Sequence, residues 1–412
     1  MNLSIDREKL VSEVEALAKI SEAEPPVVTR IVFTQADLRA RAWVIARCKE
    51  AGLEVRQDAV GNIFARWEGS DSAAAAVGTG SHIDAIPNAG KYDGVVGVLG
   101  GLESIRALKQ AGFHPKRSIE LIIFTSEEPT RFGVGCLGSR MLSGALSAES
   151  AARLCDANGE VLDEVRLKAG SVGDLESVKL AAGHYHAFVE LHIEQGPVLE
   201  REGMPLGIVE RIAAPASANI LIEGAGGHAG GVLMPERRDA LCAAAELVLE
   251  VERAARATGA PDTVATVGIC QVFPGAVNSI PSRVHLTLDL RDTDLARRDL
   301  VMAKIARASK AISKKRSVSM GTELINADAP ADCAPEVVQT LTDSCREHKL
   351  RCLPMVSRAY HDALFVSQIA PMGMLFVPCL HGYSHRPDEY AAPDDMARGA
   401  LVLAEALARL SR

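Results

Sequence analysis

The chain has 412 residues, 48% hydrophobic and 24% charged, with 34 Gly and 19 Pro: an ordinary globular composition, long enough for two domains. A formal net charge of −8 argues against nucleic acid as the main partner, because phosphate binding needs clustered Lys and Arg. It leaves room for a small anionic substrate held by a few local cations.

Nine cysteines are scattered without a Cys-x-x-Cys pair, which fits a reducing compartment. The opening Met-Asn-Leu-Ser-Ile-Asp-Arg-Glu-Lys lacks the apolar stretch of a signal peptide, so a soluble, cytoplasmic protein is expected, with no membrane partner. In chain order, Ala74–Gly78 and Ser118–Phe124 are apolar runs of strand length. Between them Val95, Val98, Leu99, Leu102 and Ile105 recur at helical spacing, with Gly112 as a stop. His186–His192 is another strand, and this alternation implies an α/β sheet covered on both faces.

From about Arg211 the rhythm changes. Strands are expected at Ala218–Glu223, Thr263–Phe273, Arg283–Arg291 and Val318–Ile325, with helices at Asp239–Ala257 and Leu295–Lys314. That is a βαββαβ layer at residues 212–329, inserted into a catalytic domain formed by 1–211 and 330–412. The uncharged run Ala363–Leu380 is long enough to raise a membrane question, but Ser367, Gln368, Pro371, Gly373 and Pro378 interrupt it. It reads as a buried helix, turn and strand.

Five residues carry the functional argument. His82 follows an apolar strand in Gly-Ser-His-Ile-Asp, and Asp93 in Tyr-Asp-Gly precedes a helix that it could cap. Glu128 follows another strand in Ser-Glu-Glu-Pro, His192 ends a third, and His385 lies in a turn-rich loop after Met374–Val377. Each alone reads as a turn, cap or solvated residue. Together they fall at inferred carboxyl ends of strands, where α/β proteins build sites. Imidazoles and carboxylates suit two divalent ions, Mn or Zn, with Co or Ni possible. If Asp93 bridges them, one ion takes His82 and His192 and the other Glu128 and His385, leaving each an open position. Glu127 is then left to move protons, and Asp84 to fix the His82 imidazole.

The motifs resemble the hydantoinase/carbamoylase-type amidases. They are Gly-Ser-His-Ile-Asp (80–84), Tyr-Asp-Gly (92–94), Ser-Glu-Glu-Pro-Thr-Arg-Phe (126–132), Glu-Leu-His-Ile-Glu-Gln-Gly-Pro (190–197), Gly-Gly-His-Ala-Gly (226–230) and Asn-Ser-Ile-Pro-Ser (278–282). The resemblance implies an aminopeptidase-like dinuclear-metal catalytic domain with an inserted lid through which the chain dimerises. It also implies Glu127 as general base and acid, His228 of the lid as oxyanion partner across the dimer, and Gln195, Asn278 and Arg291 as substrate-holding residues. Arg291 also lies opposite the apolar face Val284, Leu286, Leu288 and Leu290, at a strand end where it could grip a carboxylate.

Many members carry Ser-Gly-Ala-Gly-His-Asp near the carboxyl end, where this chain has Ser357-Arg358-Ala359-Tyr360-His361-Asp362. Arg358 and Tyr360 should narrow the pocket or add an anion contact beside His361. These changes, with Ile-Ala-Ala-Pro-Ala-Ser after Arg211, look like the ureidoglycolate amidohydrolases of purine degradation, which would release ammonia, CO2 and glyoxylate. The alternatives are an N-carbamoyl-L-amino acid, β-ureidopropionate or allantoate hydrolase, a related peptidase or deacylase, or a non-catalytic metal-stabilised dimer.

Overall fold

Four apolar runs form the parallel centre of a mixed sheet in the structure, a computed structural model that describes residues 1 and 3–412. Ile119–Phe124 buries every residue, as a strand covered on both faces does. Ala76–His82 lies parallel to it, Tyr185–Ile193 parallel to that, and Met372–Val377 beyond. Ile63–Trp67 and Glu54–Gln57 extend one side antiparallel, and Gly207–Ile212 runs antiparallel to Met372–Val377 on the other.

The pleat sends alternate side chains into two cores. Leu121, Ile123, Val189, Leu191, Leu375 and Val377 pack in one core with Val98, Leu102, Leu403 and Leu407 of the helices Val95–Gln110 and Pro393–Leu410. Ile122, Phe124, Phe188 and Phe376 are buried on the other face, with the Phe124 and Phe188 rings edge to face at 5.9 Å. Each such side chain contributes roughly 1.5–3 kcal/mol on burial, which fixes the strand ends that carry the site.

The strand expected at Ala74–Gly78 runs instead over Ala76–His82. Thr79 and Ser81 lie beyond the apolar run, but both are satisfied inside the sheet: Thr79 Oγ1 donates to the Val189 carbonyl at 2.7 Å and Ser81 Oγ to Glu190 Oε1 at 2.7 Å. Ala363–Leu380 resolves as a short helix Asp362–Val366, a turn, and the strand Met372–Val377. Among the described residues no helix is long and apolar enough to cross a membrane.

The chain divides into two compact units, Met1–Glu210 with Asp332–Arg412, and Arg211–Ala331. The second unit is a four-stranded antiparallel sheet in the order Val264–Phe273, Arg283–Asp292, Ala214–Glu223, Ser319–Ala327. Its helices Ala240–Arg256 and Leu295–Arg316 share a core with Ile220, Ile222, Leu286, Leu288 and Leu290. Asp239 caps the first of these helices, accepting from the amides of Leu241 and Cys242.

Candidate active site

The four parallel strands end at one edge of the sheet, and His82 pairs in register with Phe124 while His192 pairs with Phe376. That alignment gathers His82, His192, the Ser126–Glu128 turn and the loop after Val377. Asp93 enters from the turn before the Val95–Gln110 helix. It does not cap that helix: Gly94 is the N-cap, and the Asp93 carboxylate turns to the imidazoles. Gly94 is needed there twice over. Its φ is +65°, and a Cβ would lie 2.5 Å from the His82 ring.

Asp93 divides its two oxygens between two groups of donors. Oδ1 lies 3.2 Å from His192 Nε2 and 3.6 Å from His82 Nε2, while Oδ2 lies 3.1 Å from His385 Nε2. His385 Nε2 is in turn 3.1 Å from Glu128 Oε1. Donors about 2.1 Å from a tetrahedral ion stand about 3.4 Å apart, so these spacings and donor types fit two cations sharing Asp93. A third grouping, Glu190, His192 and His361, shares His192 with the first. Glu190 accepts from Ser81 and Ala363, and His361 Nε2 is 2.8 Å from Ser357 Oγ.

The imidazoles are oriented by backbone. His82 Nδ1 lies 3.1 Å from the Asp84 carbonyl and His192 Nδ1 2.9 Å from the Ile193 carbonyl, contacts that turn both Nε2 atoms toward Asp93. Asp84 Oδ1 also lies 3.7 Å from His82 Nδ1, so the residue faces the imidazole as expected and has a second task besides. Its carboxylate accepts from the amides of Glu127 (3.2 Å) and Glu128 (3.0 Å), and its carbonyl holds the imidazole. Burial pushes the Asp84 carboxyl up to about 6.

Burial also pushes the Glu127 carboxyl well above the usual carboxylate range, opposed by His82 and reinforced by Glu128, Asp362 and Asp93. Glu127 Oε2 faces His82 Nε2 at 3.7 Å. For Asp93 burial acts upward, but hydrogen bonds from His192, His385 and His82 hold it well below its ordinary value. Bonds to Asp93 and Glu128 raise His385 to about 11. Protons take the place of positive charge in such a cluster, and divalent cations would displace them.

Sequence reasoning missed a carboxylate and a hydroxyl. Glu389 Oε1 accepts from the amides of Tyr92 (2.7 Å) and Asp93 (3.1 Å), and Ser384 Oγ lies 2.8 Å from Asp93 Oδ2 and 2.9 Å from Glu389 Oε2. Their nearness to His385 in the chain was the available signal.

The expected substrate residues divide by unit. In the first, Gln195 Nε2 donates to Asp93 Oδ2 at 2.8 Å, while its Oε1 is buried without a hydrogen-bond partner. His361 is 1% exposed, its ring 4.6 Å from that of His192. Tyr360 accepts from Arg140 Nη2 at 3.2 Å and stacks on Phe365, so it is built into the wall made by helices Leu137–Ser143 and Asp362–Val366. Arg358 is exposed. In the second unit, His228 pairs in register with Ser279, and the Asn278 carbonyl accepts from the Ala229 amide at 2.8 Å. Arg291 binds the Asp289 carboxylate through Nε at 2.8 Å.

Residues 78–409 match the model of peptidase family M20/M25/M40, and the chain belongs to that family, with its aminopeptidase-like architecture. Within it the chain is 50% identical over 418 residues to the ureidoglycolate hydrolase of Arabidopsis thaliana, covering 100% of this chain and 88% of that protein. The crystal structure of AtUAH in complex with glyoxylate superposes with a TM-score of 0.91 at 51% identity, covering 99% of this chain and 98% of that one. An amidase of the hydantoinase/carbamoylase family from Burkholderia vietnamiensis superposes with a TM-score of 0.91 at 35% identity, covering 100% and 99%. The chain is a hydrolase of C–N bonds, as the resemblance of its motifs implies.

Proposed function

We propose that this chain hydrolyses ureidoglycolate, releasing ammonia and CO2 and an aminated product that collapses to glyoxylate with loss of a second ammonia. The observation that carries the reading is one carboxylate, Asp93, shared between two groups of metal-type donors beside the buried Glu127. The choice of ureidoglycolate is supported by the 50% identity to the Arabidopsis thaliana enzyme over the whole chain.

His82 and His192 with Asp93 Oδ1, and Glu128 and His385 with Asp93 Oδ2, would hold the two cations, manganese or zinc. When bound, such cations polarise a carbonyl and lower the pKa of water. Glu127, held basic by burial, takes the proton from the attacking water and delivers it to the leaving nitrogen. Gln195 offers its buried, unpartnered Oε1 to a ureido N–H. Asn278 and Arg291 hold the substrate, Arg291 at its carboxylate. Arg358, Tyr360 and His361 set the size and charge of the pocket. His228 of a partner subunit stabilises the oxyanion in a cytoplasmic homodimer made through residues 212–329. The exposure of Leu221, Ile269 and Leu324, at 40%, 45% and 55%, supports that dimer.

The test measures ammonia release from ureidoglycolate, allantoate, β-ureidopropionate and N-carbamoyl-L-amino acids, after chelation and reloading with each metal. Ureidoglycolate should turn over fastest; preference for a bulky carbamoyl amino acid would defeat the reading. Glu127→Gln should keep both metals and lose about a thousandfold or more in kcat.

A further inference from the structure

Glu127 has two carboxylate oxygens in two different surroundings. Oε2 faces His82, whereas Oε1 lies 3.3 Å from the Sγ of Cys136, a residue buried at 0% exposure. We propose that Cys136 is a positioning residue whose thiol donates to Glu127 Oε1 and holds the other oxygen toward the metal cluster. This rests on the reading of Glu127 as the proton carrier.

The sulfur is itself held firmly. The Cys136 amide donates to the Glu127 carbonyl at 2.7 Å, followed by Leu137 N to Ser126 O at 2.9 Å and Gly138 N to Thr125 O at 2.8 Å. The segment carrying the thiol is therefore zipped to the segment carrying the carboxylate. Cys136 has φ +54°, a left-handed conformation rare for a residue with a side chain, at the N-cap of the helix Leu137–Ser143. Its carbonyl accepts from Ser139 Oγ at 3.2 Å, and that hydroxyl also lies 2.5 Å from Asp362 Oδ1. The far side is closed as well, since a Cβ on Gly138 would come 2.0 Å from Asn62 Oδ1.

A glutamate has three rotatable bonds, and a proton carrier must keep one orientation to act. The chain from Asp362 through Ser139 and Cys136 supplies that constraint from outside the metal ligands. A packing role would look different. A buried cysteine that only fills space is replaced at least as well by alanine as by serine, because serine buries a hydroxyl. A donor role reverses that order.

The experiment measures kcat, KM, metal content and Tm for Cys136→Ala and Cys136→Ser with ureidoglycolate. Cys136→Ala should lose about tenfold in kcat, with KM within about twofold and both metals retained, while Cys136→Ser recovers to within about threefold of the parent. In a Glu127→Gln background, Cys136→Ala should add no further loss. Unchanged kcat in Cys136→Ala, a serine variant no better than alanine at equal Tm, or full additivity with Glu127→Gln each overturns the proposal. Normal turnover by Glu127→Gln would instead remove the proton-carrier reading itself. A Glu127→Gln variant without turnover, beside an unaffected Cys136→Ala, would remove only the positioning role.

Discussion

The two groups of donors that share Asp93 are built differently. His82 and His192 close buried strands, are each 1% exposed, and have Nδ1 beside a backbone carbonyl. His385 stands on a loop with φ +60°, and its side chain is 45% exposed. Its companions Ser384 and Glu389 come from the same loop. One group is thus formed wherever the sheet is formed, whereas the other waits on the loop. The contrast makes one proposed cation site a consequence of the fold and leaves the second adjustable.

Substitutions in the two groups should separate these roles. Asp93→Ala, which removes the shared carboxylate, should abolish binding of both cations and lower kcat by about ten thousandfold or more. Metal analysis showing one ion still bound would mean that Asp93 is not shared.

His82→Ala and His385→Ala should differ from each other. The first should cost about a thousandfold in kcat, because it also unpacks a strand end. The second should cost about a hundredfold, lose a single ion, and regain activity with added imidazole through its open side. Equal losses, or rescue of His82→Ala rather than His385→Ala, would erase the distinction between a preformed and an adjustable site.

The smallest effect is expected at the loop's internal hydrogen bonds. Ser384→Ala, which leaves Asp93 Oδ2 and Glu389 Oε2 without their shared hydroxyl, should weaken the second metal by about tenfold and leave the first unchanged. A titration of metal content against chelator concentration reads both sites. Weakening of the first site would show that the loop orients Asp93 for both.

Much of the fold was legible because hydropathy carries period and length. Ile119–Phe124 and Arg283–Asp292 follow apolar runs, and the Val95–Gln110 helix follows apolar residues at helical spacing. The reading stopped short where polar side chains are paid for inside the sheet, as at Thr79 and Ser81 before His82. The short helix Leu137–Ser143 lay outside it altogether, since a single turn or two has little periodicity to detect.

By itself the sequence showed imidazoles and carboxylates at strand ends or in the adjoining loops, because strand-forming runs and the turns after them are local properties. Only the tertiary structure decided what those donors face. Asp84 sits two residues from His82, yet its carboxylate binds the Glu127 and Glu128 amides across the sheet. Tyr360 is drawn to Arg140 and Phe365. Cys136, nine residues from Glu127 with no motif to mark it, meets that carboxylate because two backbone segments zip together. Burial and direction come from the register of distant segments, and no local pattern encodes that register.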